Sequence, residues 1–158
     1  MNIATYTFFS VMLVVSWPFY AFGSDLSVDM QKVRFADGRP FHSEIADDLR
    51  KILSSEDTRA LESVLRALLE RPDLGVEVMG FADKNECRPS DCRELSLRRA
   101  KVIVDWLKSN GVKASQLKGP KGESTDWPVD DAVTNSGREF NRRVQFEPFL
   151  VKTPSLPR

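Results

Sequence analysis

Val76-Glu77-Val78-Met79-Gly80-Phe81-Ala82-Asp83 and, after a polar loop, Leu95-Ser96-Leu97-Arg98-Arg99-Ala100-Lys101-Val102-Ile103-Val104-Asp105-Trp106-Leu107 are the two runs on which the fold turns. In the first, Val76 and Val78 alternate with Glu77, which predicts a strand ending near Gly80-Phe81. The second keeps apolar residues at helical spacing and stops at Gly111, predicting a helix over about Arg93 to Ser109. Residues 82–92 form the loop between them. Upstream, Leu61, Val64, Leu65, Leu68 and Leu69 recur at helical intervals until Pro72 ends the pattern. Ser43 caps a shorter expected helix carrying Ile45, Leu49, Ile52 and Leu53. Val33-Arg34-Phe35 reads as a strand closed by the turn Asp37-Gly38-Arg39-Pro40. Downstream, Leu117–Lys121 is a short strand candidate. Residues 119–138 are rich in Gly, Pro, Asp and Ser and read as a long loop. Val144 and Phe146 alternate in a last strand near Arg142–Glu147, limited by Pro148. Strands interleaved with helices predict one mixed sheet with helices packed on it, an α+β fold.

The chain has 158 residues, enough for a single domain. Its 23 basic and 23 acidic residues cancel, which argues against a sequence-independent nucleic-acid binder. Residues 1–23 carry no charged side chain. Val11-Met12-Leu13-Val14-Val15, Pro18 and Ala21-Phe22-Gly23 have the layout of a signal peptide cleaved after Gly23. An uncleaved N-terminal anchor is the alternative, because the apolar stretch just reaches bilayer length. No cysteine lies near the cleavage position, which argues against a lipidated terminus. The expected organisation is a leader over 1–23, a domain over 24–150 and a loose tail over 151–158. Export to an oxidising compartment permits a disulfide, and Cys87 and Cys92 are the only cysteines. A zinc site would need four suitable ligands, and His42 is the only histidine. Neither a metal nor a cofactor is expected.

Two arginines and an aspartate carry the chemistry. On a helical wheel with Leu95 at zero, Val102, Trp106, Ile103 and Leu107 define the apolar arc. Arg99 falls inside it at about 40°, while Arg98 points to water. An inward guanidinium needs an acceptor, so Arg99 is either half of a structural ion pair, a side chain that snorkels past Leu95, or an anion receptor. Asp83 lies just past a strand end, where open sheets place their ligands. Asp83 and Arg99 flank one strand–loop–helix unit. Facing each other, they would suit a zwitterion, the acid taking an ammonium and the arginine a carboxylate. In the last strand, alternation sets Arg142 on the face of Val144 and Phe146 and leaves Arg143 for solvent.

Together, Gly80-Phe81-Ala82-Asp83, Leu95-Ser96-Leu97-Arg98-Arg99-Ala100 and Gly137-Arg138-Glu139-Phe140-Asn141-Arg142-Arg143-Val144 resemble, in order, the motifs of the OmpA-like peptidoglycan-binding domain. That domain ends outer-membrane protein A and also occurs in the Pal lipoprotein and the stator protein MotB. The resemblance spans about residues 30–147. It implies a βαβαβ mixed sheet that grips the meso-diaminopimelate of the peptidoglycan stem peptide. Position by position, it implies Asp83 for the ammonium, Arg99 for the carboxylate, Arg142 at the pocket border and Asn141 as its brace. Three departures stand out. Phe81-Ala82 replaces a His-Thr pair. Cys92 replaces an asparagine, so a Cys87–Cys92 bridge would shape the rim in its place. The glycine loop Gly119-Pro120-Lys121-Gly122-Glu123 is one residue longer.

The sequence thus implies a non-catalytic wall-binding protein of the periplasm, free, associated with the outer membrane or held by its own leader. A second reading is an envelope module that keeps the fold and binds a protein partner. Catalysis has no support: His42 stands alone in a turn, no Ser-His-Asp set is visible, and the cysteines lack a nearby base.

Overall fold

The computed structural model describes Met30 and residues 32–152. The alternating run at Val76 becomes β2 (Leu74–Gly80), an inner strand of a four-stranded sheet. It pairs antiparallel with β4 (Arg143–Leu150) and parallel with β3 (Leu117–Gly122). The short β1 (Val33–Arg34) adds to the far side of β4, giving the order β1-β4-β2-β3. The parallel β2–β3 pair requires a crossover. This is α3 (Pro89–Ser109), whose Leu95, Val102, Ile103, Trp106 and Leu107 are buried. The expected α+β class and mixed sheet are what the structure contains.

α2 (Ser55–Glu70) forms where its periodicity predicts. Ser54 caps it by accepting the Asp57 N–H at 3.0 Å. Its Leu61, Val64 and Leu68 enter the same core as Val76, Val78, Ile103 and Val144, and Leu69 is left half-exposed at the edge of the stripe. The segment after Ser43 is more broken than its spacing suggests. A 3₁₀ turn (Ala46–Asp48) leads into the single-turn α1 (Leu49–Ile52), and Ile45 faces solvent. Only Leu49 and Leu53 of that segment are fully buried, too few anchors to extend it into a long helix.

Two differences concern the site. α3 begins at Pro89, four residues before the expected start, and takes Cys92 into its first turns. Pro, Ser and Asp read as loop formers, yet proline is favoured at the first helical position, where no N–H is needed. The long loop after β3 also ends in a helix of its own, α4 (Asn135–Asn141), capped by Thr134, which accepts the Gly137 N–H at 2.9 Å.

The crossover is held close to the sheet. At Gly80 an added Cβ would lie 2.0 Å from the Ser96 carbonyl oxygen, and at Gly122 it would lie 2.7 Å from that of Arg93. Both obstacles are backbone and cannot turn aside. Gly80→Ala is therefore expected to lower stability by about 3 kcal/mol in urea unfolding; a loss under about 0.5 kcal/mol would contradict this packing. A second clasp sits at the opposite end of β2. The buried Gln116 amide donates to the carbonyls of Leu68 and Leu74, both at 2.8 Å, and of Arg71 at 3.2 Å. Gln116→Met keeps the volume and strands those acceptors. A loss of about 2 kcal/mol is expected, and an unchanged denaturation midpoint would rule it out.

Candidate functional site

β2 ends against the first turns of α3, and the chain between them is short and polar. Asp83 is turned inward there and is 1% exposed. Its Oδ1 accepts the Asn85 N–H at 2.9 Å, a local turn that fixes the carboxylate. Its Oδ2 accepts Nδ2 of Asn141, the last residue of α4, at 3.0 Å. Asn141 Nδ2 also donates to the Asp130 carbonyl at 3.1 Å, and its Oδ1 accepts the N–H groups of Val129 and Asp130. All four hydrogen-bonding positions of that amide are used. Asn141 therefore ties the loop ahead of α4 to Asp83.

Beside Asp83 lies a cavity of about 290 Å³, lined among others by Lys84, Asp130, Asp131, Ala132 and Asn141. Three carboxylates and one ammonium make its wall acidic. The Val133 N–H, 2.9 Å from Asp131, is the main reason Asp131 stays below the usual carboxylate range. Its Asp130 neighbour and the charge of Lys84 act in the same direction. A carboxylate accepts about four hydrogen bonds, and Asp83 accepts two here, so it keeps acceptor capacity for a cation.

Arg99 is the fully buried residue that the wheel places inward, at 0% exposure. Its Nε donates to the Arg39 carbonyl at 2.8 Å. Nη1 donates to the Phe81 carbonyl at 2.9 Å and to Glu86 Oε1 at 2.5 Å. Nη2 donates to Glu86 Oε2 at 2.7 Å and to the Ala36 carbonyl at 3.4 Å. Glu86, its side chain 1% exposed, also accepts the N–H groups of Asp83 at 2.8 Å and Gly38 at 3.0 Å. Of the three readings open for Arg99, the ion pair is the one formed. Asp83 and Arg99 do not face each other across open space, because the Glu86 carboxylate stands at the guanidinium and contacts both residues. Glu86 itself precedes Cys87, which is bonded to Cys92 with Cα atoms 5.2 Å apart. That bridge ties the Glu86 loop to the start of α3, as the cysteine spacing leads one to expect.

The other two arginines diverge. Arg142 Nε donates to the Phe35 carbonyl at 3.2 Å, and the side chain lines a separate groove with Arg34, Asp57 and Glu139. It does not line the Asp83 cavity. Arg143, expected in solvent, is 3% exposed. It stacks over the Phe81 ring at 3.9 Å, and its Nη2 donates to the Trp127 carbonyl at 3.2 Å. The cause is the loop after β3, which folds over this face of β4; the resulting desolvation lowers the Arg143 pKa. Phe81, standing where the resembled motif has histidine, thus packs an arginine instead of offering a polar contact.

Glu86, Asp130 and Asp131 are the site residues that sequence reasoning does not single out. For Glu86 the signal was incomplete: an inward arginine demands an acid, but the adjoining loop offers Asp83, Glu86 and Asp91, and spacing does not choose among them. The two aspartates lie in an aperiodic loop and give no such signal.

A family model described as the OmpA family matches residues 48–142, more than half of the chain. The chain belongs to the OmpA family. The matched span runs from α1 to the end of α4 and so contains Asp83, Arg99, Asn141 and Arg142. Solved structures of the same architecture include the peptidoglycan-associated lipoprotein of Burkholderia pseudomallei. Its TM-score is 0.60 at 17% identity, covering 80% of this chain and 98% of that one. The C-terminal domain of Helicobacter pylori MotB gives a TM-score of 0.59 at 17% identity, over 75% and 85% of the two chains. A Brucella suis protein named as a type IV secretion system outer membrane lipoprotein is 32% identical over 90 residues, 57% of this chain and 51% of that relative. A Brucella abortus protein of the same name matches equally. The chain spans about half the length of these curated relatives.

Proposed function

We propose that this OmpA-family chain is a non-catalytic protein of the bacterial envelope that binds peptidoglycan, with the Asp83 cavity as its receptor. The observation that carries the reading is Asp83 itself. It is a buried carboxylate just past the end of an inner strand, held in orientation by Asn85 and Asn141, lining an acidic cavity and with acceptor capacity to spare. The group it would hold is the free ammonium of diaminopimelate in the stem peptide, in a charge-assisted hydrogen bond. Asn141 fixes Asp83 and the loop together. Arg99 acts from behind, through Glu86, and Arg142 through the β1 side of the domain. The Pal-type and MotB-type architecture and the outer membrane lipoprotein names among the relatives support an envelope location. The leader assigned to residues 1–23 lies outside the described residues, as do the last six residues of the assigned tail. Export through that leader and a domain over 24–150 belong to the same proposal.

Sedimentation with insoluble peptidoglycan tests the reading, with Asp83→Asn as the control. A second reading, a module for a protein partner, is favoured by one feature. Trp127 is 77% exposed and is joined by exposed Val129 and Val133 in the loop bordering the cavity. If the folded protein does not sediment with the wall, that reading takes precedence.

A further inference from the structure

We propose that the groove on the β1 side of the domain is a second binding site. There Arg142 takes the carboxylate of a zwitterion, an amino acid or a short peptide, and Asp37 and Glu139 take its ammonium. The inference goes beyond the proposed function and does not rest on the Asp83 cavity.

Asn141 serves the Asp83 cavity, while its neighbour Arg142 lines a different space, a groove of about 430 Å³, within the size range of ligand pockets. Arg142 is 9% exposed, yet only its Nε has a partner, the Phe35 carbonyl at 3.2 Å. The Phe35 N–H donates in return to the Arg142 carbonyl at 2.8 Å, so backbone and side chain are both clamped. Among the described residues, Nη1 and Nη2 of Arg142 have no hydrogen bond and no ion pair. Arg143 Nη1 is sealed in the interior without a partner, but the Nη atoms of Arg142 are not sealed and open on the groove. A largely buried guanidinium with both ends free is a fork for one carboxylate. The rest of the wall selects the ligand. Arg34 is already spent, its Nε on Asp57 at 3.1 Å and its Nη2 on Glu56 at 2.8 Å. Asp37 and Glu139, exposed at the same groove, have no hydrogen bond or ion pair from their side chains among the described residues. Two arginines thus line the groove with four carboxylates, and a lone anion, above all a phosphate, is repelled. A ligand that brings an ammonium with its carboxylate satisfies all three uncommitted groups.

The test follows the Nε–H signal of Arg142 by nuclear magnetic resonance in the isotope-labelled full-length protein. The probes are alanine, alanyl-alanine, N-acetyl-alanyl-alanine and alanyl-alaninamide. Alanine and alanyl-alanine are expected to shift the signal to saturation. The acetylated peptide, which lacks the ammonium, and the amide, which lacks the carboxylate, should bind roughly tenfold more weakly. The Nε–H signal of Arg99, whose donors are all taken internally, should stay in place. Tighter binding of alanine assigns the groove to free amino acids, and tighter binding of alanyl-alanine to peptides. The double variant Asp37→Asn with Glu139→Gln alters only exposed side chains, and it should bring alanyl-alanine down to the affinity of its acetylated form. An Arg142 signal unmoved by both zwitterions overturns the inference. So does equal binding of either blocked peptide, or a double variant that keeps the preference for the zwitterion.

Discussion

Glu86→Ala loses about 4 kcal/mol of stability, the expected result of stripping a buried arginine of its counter-ion. Arg99 cannot shed its proton, so the charge stays in place when its partner is removed. The two N–H groups of Glu86's other contacts, Gly38 and Asp83, lose their acceptor at the same time. Each is a further desolvated donor, with a cost on the order of 1 kcal/mol or more. Arg99→Met, by contrast, removes the charge but leaves the buried Glu86 carboxylate without its counter-ion and takes a donor from three carbonyls, so it is expected to be comparably damaging. The informative variant is the double one, Glu86→Ala with Arg99→Met. It removes both charges, and its loss should be well below the sum of the two single losses. Equilibrium urea unfolding of the four proteins measures this. If Glu86→Ala stays within about 1 kcal/mol of the parent, the pair does not have the buried, saturated character described here.

Asp83→Asn is expected to leave the protein in the supernatant when insoluble peptidoglycan is spun down, while the parent protein pellets. The exchange preserves shape and removes one negative charge. The lost contribution is that of a hydrogen bond to a charged group, about 1.5–3 kcal/mol, which corresponds to roughly tenfold to over a hundredfold weaker binding. Asparagine brings its own donor to a place where Asn85 and Asn141 both donate, so one of these two bonds is disturbed. Folding must therefore be checked by circular dichroism on the same sample. The environment of Trp127, near the cavity, supplies a second control through its fluorescence. A folded Asp83→Asn protein that pellets like the parent would remove Asp83 as the receptor.

Much of the fold could be read from periodicity, and the limits of that reading are physical. α2 repeats its apolar residues from Leu61 to Leu69, over about two and a half turns, and β2 alternates, so both were visible in the sequence. α4 has seven residues, one of them Gly137, and presents no apolar stripe. Its signals are its Thr134 cap and its docking through Asn141, and neither has a period. The start of α3 was hidden because Pro89-Ser90-Asp91 serves a turn and a helix entrance equally well. Arg99 could be placed inward from the wheel alone, and the need for an acceptor followed. Which acceptor it found depended on how the 81–88 segment folds back, and no spacing rule encodes that. Arg143 shows the opposite failure: its strand phase was read correctly as the face away from Val144, but a distant loop converts that face into an interior one.

The parts of the site are far apart along the chain. Asn141 reaches Asp83 across 58 residues, and Arg99 reaches the Arg39 carbonyl across 60. Contacts of such separation close large loops, as do the β2–β4 pairs that carry the site, so none of them can form from a local segment. Neither the strand–loop–helix unit alone nor any fragment ending before α4 contains both walls of the Asp83 cavity. In time as well as in space, the cavity is a product of the finished molecule: its two walls meet only when the last helix has docked against Asp83, so under the proposed function wall binding would report completion of the fold.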